Sequence, residues 1–157
     1  MKNHLLRSVS TFILTLSLGL SSLFLITAYA EGGGSSTPKE NTVNGYTYSY
    51  DAYVYAGYIS GKAYANASVS IRTKPSGTNA PAAWMYAQGK LYTHSGVLKA
   101  TASANTNSSS SYWLNGNTAS LKPADASTLY YGSGTVGFWN GRDYTYYTAN
   151  KTPSFSP

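Results

Sequence analysis

Leu129–Thr148 reads LYYGSGTVGFWNGRDYTYYT, two runs rich in aromatic and β-branched residues that meet at Asn140-Gly141. An Asn-Gly pair between such runs is a strong hairpin signal, because both residues accept the positive φ that a type I′ turn demands. A two-residue turn sets the register. Trp139 then opposes Arg142, Gly137 opposes Tyr144 and Thr135 opposes Tyr146 on one face. Phe138 opposes Asp143, Val136 opposes Thr145 and Gly134 opposes Tyr147 on the other. Phe138 and Val136 read as core, which leaves Trp139, Arg142, Tyr144 and Tyr146 as an aromatic strip with one cation.

The same two-residue period recurs upstream. Ala63, Ala65, Ala67, Val69 and Ile71 share one face, whereas Tyr64, Asn66, Ser68, Ser70 and Arg72 share the other, the pattern of a strand with one buried and one wet side. Ala83, Met85, Ala87 and Leu91 alternate with Trp84, Tyr86, Gln88, Lys90 and Tyr92; Leu98, Ala100, Ala102 and Ala104 alternate with Lys99, Thr101, Ser103 and Asn105. Tyr46, Tyr48 and Tyr50 follow Asn44-Gly45 on one face. Asp51-Ala52 reads as a bend or bulge, beyond which Tyr53 and Tyr55 continue the tyrosine face and Val54 and Ala56 look the other way. Tyr112–Leu114 and Thr118–Leu121 flank Asn115-Gly116-Asn117 as a second short hairpin, and Lys122–Ser127 is expected to hold a single helical turn. Recurrent inward alanines imply sheets that approach closely, or large aromatic partners across the core.

No long segment has helical periodicity. Seven to nine short strands predict an all-β fold, an antiparallel β-sandwich, with a partly closed β-barrel as the alternative. The expected organisation is a secretory signal peptide over 1–30, a flexible Gly/Ser/Pro leader over 31–42, one β domain over 43–149 and a polar tail over 150–157. The signal-peptide reading rests on basic Lys2 and Arg7, an apolar run from Phe12 to Ile26, and Ala28-Tyr29-Ala30 as the cleavage signature, with cleavage after Ala30. The expected product is therefore a secreted, extracellular protein, and a cysteine-free exported domain suits a bacterial source.

Removing 30 residues from 157 leaves 127, and removing Lys2 and Arg7 leaves nine basic residues against five acidic ones. The basic residues are scattered singly. This favours mild attraction to an anionic cell surface over nucleic-acid binding, which calls for a dense Lys/Arg stripe. With no cysteine in the chain, thiol catalysis and cysteine-ligated zinc are excluded. Asp51, Asp125 and Asp143 fall at bends and turns, where short polar side chains form turns, and do not present a glycosidase pair. His94 lies in a turn with no nucleophile elbow in the sequence. No cofactor, no metal and no catalytic residue is expected.

Tyrosine dominates what remains: the chain has sixteen, with three tryptophans and only four phenylalanines. A phenol offers an apolar ring with a polar tip, suited to half-exposed positions and to stacking on sugar rings, although cross-strand aromatic pairs also stabilise sheets without any ligand. Trp84, Tyr86, Trp139, Arg142, Tyr144 and Tyr146 are the candidate ligand-binding residues, with a cell-wall or extracellular polysaccharide as the expected partner. Two other readings fit the same composition. One is a bacteriocin-like or pore-forming antagonist, for which Leu129–Thr148 is a short hairpin; the other is a matrix component that self-associates through tyrosine-rich edges.

Overall fold

A computed structural model describes residues 32–157, so the expected signal peptide lies outside the described residues. Eleven strands follow one another: β1 (Gly32–Ser35), β2 (Lys39–Val43), β3 (Tyr46–Ile59), β4 (Lys62–Lys74), β5 (Met85–Thr93), β6 (Leu98–Thr101), β7 (Asn105–Thr106), β8 (Trp113–Asn115), β9 (Ala119–Leu121), β10 (Tyr130–Trp139) and β11 (Tyr144–Thr148). They build two antiparallel sheets that pack face to face as a sandwich, and neither closes into a barrel.

Each sheet has two continuous inner strands and two interrupted edges. In the first sheet β3 and β4 pair from Ile59 and Lys62 at the turn to Thr47 and Lys74 at the far end. β1 and β2 lie in line along the free edge of β3, and β8 and β9 in line along the free edge of β4. In the second sheet β5 and β10 are the inner pair, with β6 and β7 along β5 and β11 along β10. Residues beyond β11 extend that last edge: Thr152 N–H donates to Gly132 O, Gly132 N–H donates to Thr152 Oγ1, and Tyr130 and Phe155 exchange backbone hydrogen bonds.

Several expectations are corrected. The Gly/Ser stretch 31–42 holds β1 and β2, because backbone pairing with β3 needs no side chain, so the folded unit begins before residue 43. The stretch 150–157 is equally part of it, with Thr152 and Ser156 buried. Asn115-Gly116-Asn117 does not turn a hairpin; β8 and β9 both pair with β4, and Gly116 N–H donates to Val69 O in the gap between them. Lys122–Ser127 forms no helical turn, because the Asp125 carboxylate accepts from Ser127 N–H, Ser127 Oγ and Thr128 Oγ1 and folds the chain locally. β3 runs straight through Asp51-Ala52, so Tyr48, Tyr50, Ala52, Val54 and Ala56 all face inward and Tyr53 and Tyr55 face out. Ala83, Leu98 and Ala104, expected inward, are exposed.

The Asn-Gly dipeptides behave differently at their two positions. Asn44-Gly45, with φ of 49° and 79°, forms the two-residue turn between β2 and β3. At the second position Asn140 Oδ1 instead accepts from the N–H groups of Arg142 and Asp143, and Asn140 N–H donates to Asp143 O. The tip moves to Gly141-Arg142, with φ of 101° at Gly141. Trp139 thus opposes Tyr144, Gly137 opposes Tyr146 and Phe138 opposes Thr145. A shift of two residues preserves the faces, so Phe138 and Val136 are fully buried as expected.

The core is graded. At the end away from the β3–β4 turn it is aromatic: Tyr48 stacks on Phe138 with ring centroids 4.1 Å apart and planes 4° from parallel, and Tyr50 and Tyr147 tilt against the same ring. Towards the β3–β4 turn it is made of Ala56, Ala65, Ala67, Ala102 and Ala119 with Val54, Leu91 and Tyr130. Between these regions the backbones nearly touch. A Cβ built on Gly132 would lie 2.6 Å from Tyr53 O, one on Gly89 2.8 Å from Ala67 O, and one on Gly134 2.5 Å from Gln88 O and Val69 Cγ1.

Two outcomes follow from this packing. Gly132→Ala drives a methyl into a backbone oxygen that has no room to retreat, and is expected to cost about 1–3 kcal/mol, read as a lower urea midpoint. Tyr48 Oη is buried without a hydrogen-bond partner among the described residues, and burial, with a smaller contribution from Tyr46, pushes its pKa up to about 12. The folded state therefore holds this proton more tightly than the unfolded chain, whose phenols titrate near pH ~10. The associated stability is complete below that pH and is lost as pH rises towards 12. Tyr48→Phe keeps the stack, flattens this alkaline decline and is neutral or stabilising by up to about 1 kcal/mol at neutral pH, as urea midpoints in neutral and alkaline buffer will show.

Candidate functional site

The outward residues of the second sheet come from three strands. β5 presents Tyr86, Gln88, Lys90 and Tyr92; β10 presents Tyr131, Ser133, Thr135, Gly137 and Trp139; β11 presents Tyr144, Tyr146 and Thr148. The register brings Tyr86 opposite Gly137, and Gly137 opposite Tyr146. Glycine in the middle leaves space that the flanking rings fill: a Cβ on Gly137 would sit 2.9 Å from Tyr146 Cε1, so the Tyr146 ring covers the bare backbone.

The result is a four-ring cluster. Tyr86 meets Tyr146 edge-on at 5.4 Å and Tyr144 at 5.9 Å, and Trp139 meets Tyr144 edge-on at 5.8 Å. Edge-to-face contact is the favoured aromatic geometry, and it makes this patch ridged instead of flat. Tyr146 is the most open member, 56% exposed, while Tyr86, Trp139 and Tyr144 are half-buried. Burial, and next the neighbouring Tyr146 hydroxyl, pushes the Tyr86 and Tyr144 phenols above their ordinary pKa, so both are neutral at physiological pH.

Beside the cluster is an open depression of about 400 Å³ lined by Ala82, Ala83, Trp84, Trp139 and Tyr144. Its rim is held by Tyr144 Oη, which donates to Ala83 O, and by Trp139 N–H, which donates to Trp84 O. Ala83 adopts a φ of 59°, a left-handed conformation unusual for alanine, and this turns the chain into β5. Trp84 stands between the depression and Tyr46, whose ring it meets edge-on at 5.4 Å.

Five of the six residues singled out from sequence are therefore neighbours. Arg142 is not: it sits at the turn tip, its side chain 93% exposed, with only a 3.7 Å contact to Asp143. Sequence reasoning missed the continuation of the face. Lys90 Nζ donates to Thr135 Oγ1 at 3.0 Å, and beyond it Tyr92 and Tyr131 stack at 5.2 Å with Lys151 Nζ 5.0 Å from the Tyr131 ring centre. Tyr92 shares the β5 alternation of Tyr86, and Tyr131 that of Trp139, so the pleat was the signal that could have found them. Lys151 comes from a tail that no periodicity marks.

The groups weighed for catalysis lie apart. Asp51 accepts from Ser70 Oγ on the first sheet, and Asp125 is held by Ser127 and Thr128, whose donors lower its carboxyl pKa. His94 Nδ1 lies 3.0 Å from Ser154 Oγ at an exposed turn. Among the described residues no three of His, Asp and Glu gather.

Tyr144→Phe tests the rim. Deleting the hydrogen bond to Ala83 O is expected to cost about 0.5–1.5 kcal/mol, measured by thermal or urea unfolding, with the ring contacts retained. Comparison with known proteins finds no matching family model, no matching curated protein and no matching solved structure.

Proposed function

We propose that this chain is a secreted, non-catalytic binding protein that holds a cell-wall or extracellular polysaccharide on the outer face of its second sheet. The supporting observation is the juxtaposition of the Tyr86, Trp139, Tyr144 and Tyr146 rings with the depression walled by Trp84 and Trp139. Sugar rings present apolar C–H faces and a hydroxyl rim, and this surface alternates rings with Gln88, Lys90 and Thr135, which supply donors and acceptors. Because the rings meet edge to face, the patch fits a single hydrated chain better than a flat crystalline one.

The length of β3 and β4 favours a second reading. Strands of fourteen and thirteen residues with an alternating apolar face exceed the ~9–11 residues that cross a bilayer, as a pore-forming antagonist requires. The same two strands supply five of the thirteen buried residues of one core cluster and four of the eight of the other, so insertion would dismantle the sandwich. A matrix role is disfavoured by the interrupted edges, which offer short templates for self-association.

Sedimentation with insoluble peptidoglycan and neutral polysaccharides tests the first reading. Saturable binding is expected, and Trp139→Ala and Tyr146→Ala should each weaken it by about ten-fold or more. Tyr53→Ala, on the opposite sheet, should leave it unchanged. Failure of every glycan to sediment the protein, together with leakage of vesicle contents, would replace this reading with the pore-forming one.

A further inference from the structure

One end of the sandwich combines exposed aliphatic tips with lysines. The β3–β4 turn exposes Tyr58 and Ile59, 47% and 44% accessible, and the β5–β6 turn exposes Val97 and Leu98, 54% and 50% accessible. Hydrogen bonds run between the two turns at this end. Ala124 N–H donates to Ala63 O beside the first turn, Asp125 N–H donates to Tyr130 Oη, and Tyr130 pairs with Thr93, which begins the second. Lys62, Lys99 and Lys122 are exposed on the same connections. Among the described residues Asp125 is the acidic group here; its carboxylate accepts from Ser127 and Thr128, which favour its charged form, and it offsets part of the Lys99 charge, leaving Lys62 and Lys122 unopposed. Glu40 pairs with Lys74 and Asp143 contacts Arg142 at the opposite end.

The chain also enters the domain at this end. Gly32 pairs with Ala56, three residues before Ile59, and the apolar run Phe12–Ile26 precedes it in sequence. On the secretion proposed above, on which this point rests, the end at which the chain enters is the one nearest the membrane during export, and it carries Ile59, Val97 and Leu98.

We infer that this end docks reversibly on an anionic lipid surface, with Ile59, Val97 and Leu98 entering the headgroup boundary and Lys62, Lys99 and Lys122 facing lipid phosphates. Aliphatic tips decide between lipid and an anionic wall polymer: a polyanion rewards the lysines alone, whereas only an acyl boundary rewards Ile59, Val97 and Leu98. Three lysines give about a hundred-fold preference for an anionic membrane, at roughly five-fold each, and this attraction is screened by salt. The surface lies at the end of the sandwich, away from the Tyr86 and Trp139 cluster, so it stands whether or not that cluster binds glycan.

The test uses protein recovered from the medium of an exporting host, its N-terminus read by mass spectrometry, and all variants are compared with that same N-terminus. Sedimentation with phosphatidylcholine vesicles, with and without phosphatidylglycerol, is expected to show binding only when the anionic lipid is present. Replacing Lys62, Lys99 and Lys122 together by Gln lowers it about a hundred-fold, and Ile59→Ser, Val97→Ser and Leu98→Ser together lower it at least about ten-fold, with thermal midpoints checked for each. Ile59→Trp reports insertion directly: its emission is quenched by brominated lipid. Absence of vesicle binding overturns the proposal. So does binding that ignores the serine substitutions and is matched by purified anionic wall polymer, or vesicle-bound Ile59→Trp that brominated lipid fails to quench.

Discussion

Contact between the two sheets at Gly89, Gly132 and Gly134 is the constraint to which the other features answer. Sheets usually stack about 10 Å apart, with two layers of side chains between them. Here the Cβ that any other residue would carry at Gly132 falls 2.6 Å from the Tyr53 carbonyl oxygen, well inside van der Waals contact, so only bare backbone fits. Ala56, Ala65 and Ala67 on the facing strands are the small residues that such an approach permits. Beyond that approach the interior is filled by the largest rings, Tyr48 on Phe138, with Tyr50 and Tyr147 beside them. Small residues and large ones thus have one cause. The tyrosines for which the interior has no room, Tyr53 and Tyr55 on one sheet and Tyr86 and Tyr146 on the other, stand outside.

The interrupted edges answer a different demand. A domain without disulfides relies on sheet packing, yet long free edges invite pairing with other chains. Three of the four edges carry two short strands in line, and the β10 edge carries β11 followed by the Tyr130–Phe155 bridge, so no edge offers a continuous ladder. The gaps are used as well: at Gly116 the chain passes over Val69 and Ala87, and Gln88 of the second sheet bridges to Asn117 of the first. The edge between β8 and β9 therefore ties the sheets together where a regular strand would not reach.

What was legible in the sequence was what a single strand encodes by itself. Ala63 through Ile71 carries its own alternation, as do Met85 through Leu91, and all of the inward residues named there are buried. Parity could not be read across Tyr50 and Tyr53. The same residue type serves the core before that point and the surface after it, and only the neighbouring sheet decides which. Gly32–Ser35 has no pattern because its role is backbone pairing alone, and the Asn140 turn shifted because a side-chain carbonyl competed for the N–H groups that the shorter turn would leave to the backbone. For the site, the rings from Trp84 to Tyr146 were recoverable because an even register error leaves every side chain on its own face. Arg142 was lost for the complementary reason: the turn absorbed it.

Residues 150–157 lie along the seam between the sheets. Asn150 Nδ2 donates to Thr37 O, Phe155 lies against Gly34, and Thr152 completes the hydrogen bonding of Gly132 at the closest approach of the two layers. Synthesis is vectorial, so a growing chain has its glycine-to-alanine contact available twenty residues before the segment that seals it. Until Thr152 and Phe155 emerge, the backbone of Tyr130 and Gly132 lacks its partners on that side of β10. The seam between the two layers therefore closes only once the segment from Asn150 to Phe155 is in place.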